Sequence, residues 1–274
     1  MSMTINTNLV SMNAQRNQGA SQASLATSMQ RLSSGLRVNS AKDDAAGLGI
    51  AERMNAQVRG MNVAVRNAND AISLSQTAEG SLGKVGDMLQ RMRELSVQSA
   101  NATNSVADRA SLNAEYQQLG QEIGRTLTST KFNGVAILAG GAGAQAFQVG
   151  ANTGETVTVT TTDMSANATI TAVTGGDVTS VLNANTALGN IDTALNTVNS
   201  ERALYGAAQN RFDSIVSTLQ VASENQAASR SRIMDADFAS ETANLSRAQI
   251  LQQAGTAMIA QANQLPQQVL SLLR

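Results

Sequence analysis

What most constrains this chain is a spacing. Apolar residues recur at intervals of three and four over long stretches at both ends, and the 274 residues hold one proline, Pro266. Such spacing lays a stripe of side chains along one helix face, and a sequence so poor in proline has few points that must break it. Near the start, Leu25, Met29, Leu32 and Leu36 make a narrow coiled-coil seam. Ser33-Ser34-Gly35 and Asn39-Ser40 interrupt it, and Asp43 or Asp44 is placed to cap the next helix. That helix is long: Ile50, Met54, Val58, Met61, Val65, Ala68 and Ile72 keep the spacing, and Leu82, Val85, Leu89 and Met92 resume it. From residue 45 to 100 it should span roughly 80 Å, with Gly83 and Gly86 weakening and bending it locally. Asn101 to Ser105 reads as a loop, and a third helix places Leu112, Tyr116, Leu119 and Ile123 on one face.

The character changes at Lys131. Asn133-Gly134 between apolar residues is a hairpin turn signal. Ala139 to Gly143 reads as a flexible joint, and Thr156 to Thr160 alternates with period two. Ala168 to Val173, rich in Thr, Val and Ile, is assigned to the same small β region. The helical spacing then returns through Leu188, Ile191, Leu195, Val198, Arg202, Tyr205, Gln209, Phe212, Val216 and Leu219 without a slip. A last helix carries Ile250, Ala254, Ala257, Met258 and Leu265. The fold class expected is mainly α: a long antiparallel bundle or coiled coil of the two terminal regions around a small β region. The expected domains are a terminal coiled coil from 1–44 and 234–274, a helical rod from 45–140 and 186–233, and a central insert at 141–185. The outermost seams are lean in large apolar residues, so the terminal segments are expected to be poorly ordered in a lone chain and to fold when copies meet.

Composition excludes several functions. The chain has no His and no Cys, so Ser-His-Asp, Cys-His and His-ligated zinc sites cannot be built. The net charge of -1 and the lack of a basic run with interleaved aromatics argue against nucleic acid as a partner. No stretch approaches the roughly 20 apolar residues of a membrane span. The first residues lack the basic and apolar regions of a Sec signal peptide, so export would need another route. Asp43-Asp44 could be a catalytic carboxylate pair and Asp235-Ala-Asp237 a fragment of a metal loop, but helix caps and turns are favoured for both. No catalytic, cofactor or metal residue is assigned, and no enzyme activity is expected.

Several long runs resemble bacterial flagellin. They include Leu32–Leu48 (LSSGLRVNSAKDDAAGL), Arg66–Glu79 (RNANDAISLSQTAE), Gln90–Ala100 (QRMRELSVQSA) and Phe132-Asn133-Gly134. Gly206–Phe212 (GAAQNRF), Ser231–Phe238 (SRIMDADF), Gln249–Ala254 (QILQQA) and Ala262–Arg274 (ANQLPQQVLSLLR) continue the likeness. It covers about 4–140 and 186–274. The resemblance implies a self-assembling subunit of the extracellular flagellar filament, serving motility. Polymerisation would use the seams at Leu25, Met29, Leu32, Leu36, Ile250, Ala254, Met258 and Leu265. It further implies export through the flagellar type III apparatus, an export chaperone on the C-terminal segment (roughly 234–274), and contact with cap and hook-junction proteins. The short centre implies one small β appendage and a thin, smooth filament. By the same resemblance Arg91, Leu95 and Glu115 match an arginine, a leucine and a glutamate read by the animal flagellin-sensing Toll-like receptor. Arg91 and Leu95 are expected to share a helix face. The alternatives are a hook–filament junction protein, with flagellin-like ends but a short ring-like assembly, and an adhesin using residues 141–185.

Overall fold

The computed structural model describes residues 7–141 and 143–272, with side chains through Gln264. Its elements run α1 (Leu9–Ser34), α2 (Ala45–Ala100), α3 (Val106–Ser129), β1 (Lys131–Phe132), β2 (Val135–Ala136), β3 (Ala144–Gln148), β4 (Thr156–Thr160), α4 (Ala168–Thr174), α5 (Val181–Met234) and α6 (Phe238–Leu272). No helix among the described residues is long and apolar enough to cross a membrane. The chain is mainly α, with its two long terminal helices packed together. By contacts it divides into a terminal unit, Met1–Ala56 with Asn225–Arg274, and a central unit, Gln57–Glu224. Helices α2 and α5 contribute to both. The sequence-based boundaries fall instead at helix ends, where α2 starts and α5 stops, and residues 141–185 lie wholly within the central unit.

The central unit holds the large core. Leu82, Val85, Leu89 and Met92 of α2, Tyr116, Ile123 and Leu127 of α3, and Ile191, Val198, Tyr205 and Phe212 of α5 are buried together. Apart from Leu127, these are three-and-four positions read from the sequence. Helix α2 runs on through Gly80, Gly83 and Gly86 without interruption, since one weak residue in a packed helix costs only about 1 kcal/mol. A capping box starts α3: the Ser105 hydroxyl accepts from the Asp108 amide, and the Asp108 carboxylate accepts from the Ser105 amide at 2.8 Å. Tyr116 Oη donates to the Val173 carbonyl at 3.1 Å, and Asn113 Oδ1 accepts from the Val178 amide at 3.0 Å. Side chains of α3 therefore hold the segment that leads into α5.

The small sheets follow their sequence signals. Asn133 (φ 48°) and Gly134 (φ 82°) form a two-residue turn that pairs β1 with β2. Strand β4 buries Val157 and Val159 and exposes Thr156, Thr158 and Thr160, paired antiparallel to β3. Phe147 of β3 meets Phe212 edge to face at 5.9 Å, which fastens the hairpin to the core. One expectation is corrected here. Ala168–Thr174 is helical, because Asn167 caps it, Ile170 and Val173 are buried three apart, and Gly175 follows. The Gly/Ala stretch is held at its two ends, where Leu138 and Ala139 are buried and Gly143 and Thr161 exchange hydrogen bonds of 2.9 and 3.0 Å; Ala142 lies outside the described residues.

Candidate assembly interface

In the terminal unit, α1 and α6 lie antiparallel. Asn8 Nδ2 donates to the Ala262 carbonyl and Ser11 Oγ to Asn263 Oδ1, each at 2.8 Å, at one end; Arg31 meets Glu241 at 3.7 Å near the other. Many of the side chains between them are small. On α1 the buried and half-buried series is Ser11, Ala14, Gln18, Ser21, Leu25 and Ser28. On α6 it is Leu245, Ala248, Gln252, Gly255, Ile259 and Ala262. Both step by three and four, which is coiled-coil periodicity carried, apart from Leu25, Leu245 and Ile259, by residues that add little apolar area. A Cβ on Gly255 would stand 2.1 Å from Gln18 Oε1, so the bare glycine admits the amide.

Most of the large apolar side chains of the same helices are elsewhere. Leu9, Val10, Met12 and Met29 on α1, and Ile250, Leu251 and Met258 on α6, are exposed. Of the seam residues expected from the sequence, Leu25, Leu32 and Leu36 are half-buried, whereas Met29, Ile250 and Ala254 are exposed along with Met258. The side chain of Leu265 lies outside the described residues. Val10, Ala14, Gln18, Leu251, Ala254 and Met258 help line a groove of about 370 Å³ beside the seam. The seam residues Ser11, Ser21, Ser28 and Gly255 were missed because a hydrophobic pattern does not register them. Their common register with Leu25 is the signal that finds them.

The two breaks in the terminal unit are tied to each other. Helix α1 ends at Gly35 (φ 72°), a conformation that favours glycine. Leu36 then bridges Asp235, the Arg37 amide donates to the Met234 carbonyl at 2.6 Å, and the Ala236 amide donates to Gly35 at 2.9 Å. Arg37 Nη2 also reaches the Ile233 carbonyl at 2.8 Å. Below them Val38, Ala51 and Met234 form the only buried apolar cluster of this unit among the described residues. The paired acids serve this joint. Asp44 Oδ1 caps α2 through the Gly47 amide at 2.7 Å, and Asp237 Oδ1 accepts from the Ala239 amide at 3.0 Å to start α6. Asp43 accepts from the Ser40 hydroxyl and from the Asn39 and Ser40 amides, which hold its carboxyl below the usual carboxylate range. No group of carboxylates among the described residues could hold a metal ion.

On the central unit, Arg91 Nε donates to Glu115 Oε1 and Arg91 Nη1 to Glu94 Oε2, both at 2.9 Å. These bonds, that to Glu94 foremost, push the guanidinium above its ordinary pKa. Arg91 and Glu115 are thus joined on an exposed surface. Leu95 is not on it. At 1% exposure it belongs to the core row of Leu82, Val85, Leu89 and Met92, so the shared face expected for Arg91 and Leu95 is corrected. A four-residue step turns the helix by more than a full turn, and here that rotation crosses the edge between surface and core.

Comparison with known proteins agrees with this arrangement. Residues 5–143 match the family described as bacterial flagellin N-terminal helical region, and residues 188–273 match bacterial flagellin C-terminal helical region. A flagellin of Halalkalibacterium halodurans is 49% identical over 272 residues, covering 99% of this chain and all of the relative. The flagellar filament 33 kDa core protein of Treponema phagedenis is 43% identical over 288 residues, covering 99% and 100%. Among solved structures, the crystal structure of Bacillus cereus flagellin aligns with a TM-score of 0.51 at 34% identity, over 56% of this chain and 88% of that one. A flagellar hook-associated protein from Vibrio parahaemolyticus shares the fold at 15% identity, with a TM-score of 0.56 over 70% and 100%. On these matches at both ends and along the full length, the chain belongs to the bacterial flagellin family.

Proposed function

We propose that this chain is the structural subunit of an extracellular flagellar filament and polymerises through the outward faces of α1 and α6. One observation carries the reading: the terminal helices bury mostly small residues against each other and leave Leu9, Met12, Met29, Ile250, Leu251 and Met258 exposed. Exposed apolar side chains on two helices whose shared seam is filled mostly by small residues mark an association surface. Here the partner is another copy, and burial at about 25 cal/mol per Å² opposes the entropy of ordering the ends. The hook–filament junction alternative is not favoured by relatives that are full-length flagellins. Electron microscopy of the purified chain after adding filament seeds tests the reading. Long uniform filaments are expected from the full chain and none from a fragment of residues 45–233. Short rings from the full chain, or filaments from the fragment, would overturn it.

Further partners follow from the family. Export would use the flagellar type III route without a Sec signal, with a chaperone on the segment from about 234 to 274. Cap and hook-junction proteins would meet the two filament ends. A second reading is favoured by the exposed Arg91–Glu115 pair: recognition of the free chain by the flagellin-sensing Toll-like receptor. In this reading Arg91 and Glu115 touch the receptor, while Leu95 holds the α2 backbone beneath them. Replacing Arg91 by Ala should change folding stability by under about 1 kcal/mol, as for exposed ion pairs, yet sharply lower receptor signalling in reporter cells. Unchanged signalling would remove this partner.

A further inference from the structure

We propose that Met12, Met29 and Met258 form an oxidation-sensitive lock on assembly; this rests on the polymerisation reading above. The three are 52%, 58% and 60% exposed, and all lie on the outward faces of α1 and α6. The methionines of the central unit are different: Met92 and Met164 are fully buried, and Met61 and Met88 are partly buried. Met234, at the joint, is buried as well. With no cysteine in the chain, thioethers are its main sites for two-electron oxidants. Met54 on α2 is partly buried too, and Met1 and Met3 lie outside the described residues, so among the described residues the most exposed sulfurs lie on the surface that a second copy must cover. Met258 also lines the groove beside Val10 and Leu251, where an incoming apolar side chain would sit.

The chemistry needs only a peroxide. The sulfur lone pair takes one peroxide oxygen as the O–O bond breaks. The sulfur is oxidised by two electrons to the sulfoxide, and the peroxide is reduced and leaves as water. A flexible apolar side chain becomes a polar one at a contact that must be dry. Each sulfoxide should raise the concentration needed for assembly by about tenfold, the fold-change that follows from losing the burial of one such side chain. In the filament the same sulfurs are covered and protected. The lock therefore acts on the free chain and spares the polymer.

The test is limited hydrogen peroxide treatment of the purified chain, followed by peptide mass mapping and seeded sedimentation. Oxygen is expected first at Met12, Met29 and Met258 and last at Met92 and Met164, with filament growth lost in step. Purified methionine sulfoxide reductases should restore growth. A variant carrying Met12→Leu, Met29→Leu and Met258→Leu should keep growing after peroxide. Core methionines oxidising as fast as Met258 would overturn the proposal, as would an oxidised chain that grows normally, failure of the reductases to rescue growth, or a Leu variant as peroxide-sensitive as the native chain. If the untreated native chain does not extend seeds, the polymerisation reading itself fails, and the lock with it.

Discussion

The terminal and central units use the same helical periodicity for opposite ends. In the central unit the three-and-four positions are large and turned inward, so α2, α3 and α5 close on Leu89, Tyr116 and Phe212. In the terminal unit most inward positions are Ser, Ala, Gln and Gly, with only Leu25, Leu245 and Ile259 large, and much of the large apolar surface faces out. A central core of that kind can fold from its own contacts. The terminal seam gains less apolar burial per residue ordered, so its stability is expected to come from other copies. The comparison teaches that periodicity locates a seam, while side-chain size tells whether the seam's partner lies within the chain.

The sharpest way to break this contrast is hydrogen exchange on the dilute chain. Amides of α1 and α6 should exchange orders of magnitude faster than those of α2 residues 68–95, and should become protected only in filaments. Equal protection in the free chain would erase the distinction. Next in size, Phe212→Ala should cost the central unit about 3–5 kcal/mol in denaturant unfolding, as large buried aromatics do. A loss under about 1 kcal/mol would mean that core is looser than its burial implies. Within the terminal unit, Glu241→Gln removes the charge that Arg31 meets across the seam, and up to about 1 kcal/mol of local stability is expected to go with it. Its effect should appear in assembly and in α6 exchange, leaving the central transition in place.

The gentlest probe is alkaline pH. The chain's only two tyrosines, Tyr116 and Tyr205, both lie in the central core. Burial first, then the charges of Asp177 and Glu201 respectively, raises each from the ordinary 10.0 to about 12. The folded state therefore keeps a proton that the unfolded chain releases. This contribution is complete below pH 10.0 and is lost as pH rises through about 12. Tyrosinate absorbance should stay low until the central unit loosens in that window. Normal titration near 10.0 with the fold intact would show that the core is wet.

Much of the central unit was legible in the sequence. The α5 series from Leu188 to Leu219 reads straight onto buried and half-buried positions, and Asn133-Gly134 and the Thr156–Thr160 alternation appear as a turn and a strand. Ala168–Thr174 misled because β-branched residues dominate it. Its cap at Asn167 and the three-residue step between Ile170 and Val173 decided for helix. At the termini, size-weighted patterns select Met29 and Met258, while the intrachain seam is written in Ser28 and Gly255. Leu95 shows the limit for surface sites: spacing alone does not say which side of a packed helix meets water.

The antiparallel pairing of α1 with α6 has a consequence for how the chain is made. Ser11 and Asn263 are hydrogen-bonded across 252 positions, so the seam is among the longest loop closures the chain can form. During synthesis α1 emerges early and has no intramolecular partner until α6, the last helix, has left the ribosome. Throughout that interval the nascent chain carries one half of a zipper. A single binding protein that occupies α6 afterwards would keep α1 open as well, so one grip on one end suffices to hold both ends of the molecule unpaired.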